Sequence, residues 1–152
     1  MALKEQINND LKTALLGGNR FKGEVLRGLK AVILDEEVSQ NKREQGLDED
    51  TIERLIAREV KKRNESAGIF EAAGRADLAT EEREQAKVIS EYLPQQLTES
   101  EINAVVCRII EGLGVSGAGA MGQVIGMVKK ELGTSADGAA IAKLVKDALN
   151  SN

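Results

Sequence analysis

The chain has 152 residues, 41% of them hydrophobic and 30% charged, with a formal net charge of −4, one cysteine and no histidine. That length supports one sizeable core or two small ones, and an aromatic content of 2% means the core is built from Leu, Ile, Val and Ala, which favours packed helices over sheets. One cysteine excludes an intramolecular disulfide, no apolar run approaches the roughly 20 residues of a membrane span, and the acidic balance excludes a generic electrostatic binder of DNA or RNA.

The first predicted helix covers about Leu3 to Leu16, with Leu3, Ile7, Leu11 and Leu15 spaced by four, and stops at Gly17-Gly18. Its start is amphipathic rather than signal-like, so the cytoplasm is the expected location. The second helix carries a broad apolar face of Phe21, Val25, Leu26, Leu29, Val32 and Ile33, where Gly23 and Gly28 are expected to permit close packing. A polar connection from Asn41 to Asp48 leads to the acidic run Asp48-Glu49-Asp50, which complements the positive end of a third helix. This helix, striped by Ile52, Leu55, Ile56, Val60, Phe70 and Ala73, is expected to end at Gly74, and Gly68 leaves open whether it runs straight or kinks. Thr80 is the expected cap of a fourth helix, whose stripe of Ala86, Ile89, Tyr92 and Leu93 runs to Pro94.

Thr98-Glu-Ser-Glu101 reads as a capping box, and behind it Ile102, Val105, Val106, Ile109, Ile110 and Leu113 form the cleanest stripe in the chain, ending in a glycine-rich run from Gly112 to Gly122. Met121, Val124, Ile125, Val128 and Leu132 mark a sixth helix, and Ile141, Leu144, Val145, Ala148 and Leu149 a seventh. Between them Gly133 is suited to a left-handed helix end, and Ser135 or Asp137 to capping the helix that follows. The expected fold is therefore all-α with two helical subdomains, a bundle of about four helices over residues 1–94 and a three-helix unit over 95–152. Their formal charges are −3 (16 basic, 19 acidic) and −1 (five basic, six acidic), so neither is a basic module.

Gly112-Leu-Gly-Val-Ser-Gly117 matches the dinucleotide fingerprint in letters only, because that fingerprint needs a preceding strand and here a helix precedes it. Cys107 has no histidine to generate a thiolate and is expected to pack beside its stripe as a small hydrophobe. Asp48-Glu-Asp50 lacks the alternating spacing of a calcium loop, so neither a metal nor a cofactor is implied, and no catalytic residue stands out. The remaining signal is basic. Arg54, Arg58 and Lys61 recur at spacings of four and three, with Lys62 and Arg63 widening the row, while Arg27 with Lys30 and Lys129 with Lys130 form smaller groups. Each group is read either as a solvated, salt-bridged face or as a docking surface for phosphate.

The pattern Met121-Gly-x-Val-x-Gly-x-x-x-Lys followed by Ala136-Asp137-Gly138, together with Glu91-Tyr-Leu-Pro-Gln-Gln-Leu97 and Ala73-Gly-Arg-Ala-Asp-Leu78, resembles the GatB/YqeY family over nearly the whole chain. The resemblance implies a small helical protein like the C-terminal tail domain of the B subunit of glutamine-dependent aspartyl/glutamyl-tRNA amidotransferase, a part that contacts tRNA rather than performing catalysis. Family members look basic at Arg27, Lys30, Lys61 and Arg63. They tend to carry Lys where this chain has Gln123, a basic residue at Ser135 and Lys at Ala139, so three potential phosphate-binding side chains are missing from the hairpin here.

The resulting expectation is a non-catalytic, tRNA-directed accessory module, with an amidotransferase or synthetase-type protein as a further partner. The rival is a protein-binding adaptor that uses exposed apolar or Tyr92-centred surface. A carbon–nitrogen ligase taking its nitrogen from glutamine would need a nucleophile and a carboxylate-activating phosphate site, and the sequence contains neither constellation.

Overall fold

A computed structural model describes residues 2–151, which contain seven α-helices and no strand. The chain divides into two compact units, Met1–Leu93 and Pro94–Asn152.

The first unit is built from α1 (Leu3–Leu16), α2 (Arg20–Ser39), α3 (Glu49–Ala72) and α4 (Ala76–Ser90). Its core gathers Ile7, Val25, Leu29, Ile33, Ile52, Leu55, Ile56 and Ile89, with Leu3, Leu47, Val60, Val88, Tyr92 and Leu93 packed around them. Small buried side chains, Ala67, Ala79 and Ala86, let α3 and α4 approach closely. Polar contacts then lock the pair: Arg63 donates to Gln85 and lies 3.8 Å from Glu82, and Arg83 donates to Glu71. Gly23 is the close-packing glycine of α2, since a Cβ there would stand 3.0 Å from Leu15 Cδ2, whereas one at Gly28 would meet nothing within 4 Å.

Three helices of this unit end in the same way. The amide two residues beyond the C-cap donates to the carbonyl five residues back, as Asn19 to Ala14, Lys42 to Glu37 and Arg75 to Phe70, around a left-handed residue, Gly18, Asn41 and Gly74 respectively. This Schellman closure satisfies carbonyls that the helix itself leaves free and turns the chain sharply. At the other ends, Asp48 accepts from the Thr51 amide at 2.7 Å to cap α3, and Thr51 thereby holds the Asp48 carboxyl below its ordinary range. The uncapped start of α1 borrows a partner, the Leu3 amide donating to Glu49 Oε2 at 3.1 Å.

Several sequence expectations are corrected here. Thr80 does not cap α4: the helix begins at Ala76 directly after the Gly74 reversal, and the Thr80 hydroxyl donates to the Ala76 carbonyl inside it. Of the two courses open at Gly68, α3 takes the unbroken one. In α1 the buried positions are Ile7 and Ala14, while Leu15 is 50% exposed. A strict spacing of four overshoots each turn by about 40°, which carries the fourth member of the row out of the core. Phe21 is likewise exposed at 38%, and Ala73, beyond the end of α3, faces solvent.

The second unit comprises α5 (Glu99–Leu113), α6 (Met121–Leu132) and α7 (Gly138–Asn150), with 3₁₀ turns at Ala118–Ala120 and Gly133–Ser135. Ile102, Val106, Ile109, Ile110, Val124, Val128, Ile141, Val145 and Leu149 form its core. The capping box is present, Thr98 and Glu101 each accepting from the other's backbone amide. Gly114 ends α5 in the left-handed conformation, and a helix rather than a strand precedes the glycine-rich loop. Gly133 also has positive φ, but with ψ −132 it lies outside the left-handed helical region. Asp137, not Ser135, caps α7, accepting from the Ala140 amide at 3.3 Å. Ser135 serves elsewhere. Its carbonyl accepts from the Leu97 amide at 2.8 Å, and that of Thr134 from Gln96 Nε2 at 2.8 Å, so the Pro-Gln-Gln-Leu segment is fastened to the α6–α7 turn.

Among the described residues no single helix is long and apolar enough to cross a membrane.

Candidate nucleic-acid interface

The basic groups fall into three places. Arg27 and Lys30 are exposed on α2 and border a cavity of about 460 Å³ that is also lined by Lys4, Ala31, Leu34, Glu37 and Arg43. Arg27, Lys30 or Ala31, Leu34 and Glu37 share a face of α2 because their spacings of three and four repeat the helical turn. Arg43 reaches the same hollow because Asn41, at φ 57, reverses the chain after α2. Glu37 is 1% exposed, and the Lys4 amine donates to both its carboxylate oxygens, at 2.8 and 2.9 Å. A carboxylate removed from water needs such a partner.

On α3, Arg54, Arg58 and Lys61 are exposed, with Arg54 Nε donating to the Asp50 carbonyl at 3.3 Å. Lys62 sits 3.5 Å from Glu59. Arg63 leaves this row: its side chain is only 23% exposed and is engaged by Gln85 and Glu82 of α4. In the second unit Lys129 and Lys130 are exposed on the last turn of α6. Lys129 lies over the Ala136-Asp137-Gly138 turn, its Cε and Nζ each 3.4 Å from where a Gly138 Cβ would stand, so glycine there leaves the lysine room. Ala136 is buried beneath the turn. Gly126 has no packing role, since a Cβ on it would meet nothing within 4 Å.

Two other expectations change. Cys107 is exposed rather than packed. It stands one position beyond buried Val106, in line with exposed Asn103 and Glu111, and borders a cavity of about 380 Å³ with Glu111 and Asp147. The chain has no histidine to act as its base, so exposure alone gives it no nucleophilic chemistry. Tyr92 is no free docking centre, because its ring packs on the core of the first unit and its hydroxyl donates to Asp10 Oδ2 at 2.5 Å. Burial, then the Asp10 bond and charge, push its phenol well above the usual range. Among the described residues no group of three or more Cys, Asp or Glu could hold a metal ion.

The two cations of the cavity that sequence reasoning missed, Lys4 and Arg43, lie on different elements from Arg27 and Lys30. Periodicity along one helix carries no signal of such a gathering. What the exposed groups can do chemically is bind anions: a guanidinium offers a planar fork of donors to a phosphate, and an ammonium a compact charge.

The model of the family described as Yqey-like protein matches residues 4–149 of the chain. No curated protein matches it.

Proposed function

Since the chain belongs to the YqeY-like family, a family related to the tail domains of the amidotransferase B subunit, we propose that it is a non-catalytic, tRNA-directed accessory module of the cytoplasm. The observation that supports this reading is the exposed row of Arg54, Arg58 and Lys61 on α3. At about 1.5 Å per residue the row extends over about 10 Å, a length across which a nucleic-acid strand presents several phosphates. A chain at −4 overall is repelled from RNA at long range and gains only where cations cluster, so docking through this row is local and salt-sensitive. Any part in carbon–nitrogen ligation is accessory to an amidotransferase or synthetase-type partner that supplies the chemistry.

A second reading, a protein-binding adaptor, is favoured by Leu16 and Ile69, which are 83% and 69% exposed. Apolar side chains so open to water suit a protein partner. The test that separates the two is an unbiased pull-down with the intact chain, with and without RNase. Retention of tRNA that RNase removes is the expected result; retention of protein alone, unchanged by RNase, would give precedence to the adaptor.

A further inference from the structure

The cavity between α1, α2 and the connection that follows α2 holds more positive charge than the fold uses. Lys4 is committed to Glu37, through both carboxylate oxygens. Arg27, Lys30 and Arg43 line the same hollow, and among the described residues none of the three has a carboxylate partner. Like charges gathered around one concavity repel each other, and low-dielectric walls focus their field into it. An anion entering the hollow relieves that repulsion, and one with about two charges balances it better than one with a single charge.

Size and lining narrow the chemistry. About 460 Å³ lies within the range of pockets that enclose a small organic ligand, roughly 300–1,000 Å³, and an inorganic anion would leave most of it empty. Ala31 and Leu34, the latter 39% exposed, supply an apolar wall for an organic body beside the cations. A phosphate monoester carries about 1.5 to 2 negative charges at neutral pH, more than an internal diester of an RNA backbone, and it matches two guanidinium forks and an ammonium. We propose that this cavity is a binding site for a phosphate monoester carried on a nucleotide-sized group. Either a free phosphorylated nucleotide or the 5′-phosphorylated end of an RNA presents that chemistry. The site stands whether or not tRNA docks on α3.

The test is titration of the full chain, followed by backbone amide NMR shifts, with four probes: adenosine 5′-monophosphate, adenosine, and a short single-stranded RNA bearing either a 5′ phosphate or a 5′ hydroxyl. The phosphorylated member of at least one pair should bind with shifts centred on residues around the cavity, and its unphosphorylated counterpart about ten-fold or more weaker, the worth of one charge-assisted hydrogen bond. Arg27→Gln and Lys30→Gln, both at exposed positions, should each weaken that binding by a similar factor. Binding of both phosphorylated probes identifies a free nucleotide as sufficient, and binding of the phosphorylated RNA alone identifies an RNA end. Arg54→Glu with Arg58→Glu should leave the preference for the phosphorylated over the unphosphorylated member of each pair unchanged, whatever it does to the affinity of the RNA strand itself, which separates this site from tRNA docking on α3. Equal binding of phosphorylated and unphosphorylated probes, no binding of any of them, or insensitivity to both glutamine variants would overturn the proposal.

Discussion

Replacing Lys4 by Met would leave the Glu37 carboxylate, 1% exposed, without the amine that meets both its oxygens. Losing one member of a fully buried pair costs about 3–5 kcal/mol, and an exposed pair is worth about 0–1 kcal/mol. The Lys4 side chain is 41% exposed and that of Glu37 is 2% exposed, so the pair is half in water and the expected loss is about 2 kcal/mol. Urea unfolding followed by the fluorescence of Tyr92, the only tyrosine in a chain without tryptophan, reports on the first unit. With a slope of about 1 kcal/mol per molar urea, the midpoint should fall by about 2 M. Adding Glu37→Leu removes the orphaned charge and should recover most of the loss, because a buried ion pair exchanged for apolar groups is often close to neutral. A midpoint within about 0.3 M of the wild type for Lys4→Met, or a double variant no more stable than the single one, would refute the reasoning.

Thr98→Ala and Asp137→Ala should each cost about 0.5–2 kcal/mol, since each side chain accepts from an otherwise free helix amide; unchanged thermal midpoints would show these caps to be without effect. Cys107, being exposed, should react with a thiol reagent in the native protein nearly as fast as in urea, and a strong native protection would contradict its placement. The Tyr92 phenol is pushed up by burial and by Asp10, so its folded value lies above its unfolded one. Its contribution to stability is therefore complete below about pH 10 and lost as the pH rises beyond it. Tyr92→Phe should cost about 1 kcal/mol at neutral pH and flatten that alkaline decline; a decline of equal steepness in the variant would assign it to other groups.

The helices and their buried faces could be read from the sequence because stripes such as Ile102, Val106, Ile109 and Ile110 repeat the helical turn, and the Thr98 box carried its own start signal. What could not be read has physical causes. The start of α4 at Ala76 has Arg75 in the N-cap position and no side-chain cap, because the Gly74 reversal delivers the chain straight into the next helix. Cys107 lies at the edge of its stripe, where one position of rotation decides between core and solvent. The row on α3 was visible as a spacing, yet the spacing could not tell that Arg63 turns toward α4 while Arg54 and Arg58 stay exposed. The cavity depends on tertiary structure alone, since Lys4, Arg27 and Arg43 meet only after α1 packs on α2 and Asn41 reverses the chain.

The central claim, that tRNA docks through a local row of cations, is tested most directly by the affinity of the intact protein for unfractionated tRNA measured over a range of salt concentrations starting at low ionic strength. The wild type should bind, with log affinity falling linearly against log salt. Arg54→Glu with Arg58→Glu should weaken binding several-fold or more and reduce the slope by roughly one unit for each phosphate that the variant no longer neutralises. No salt-dependent affinity in the wild type, or the same slope in the charge-reversed variant, would contradict it.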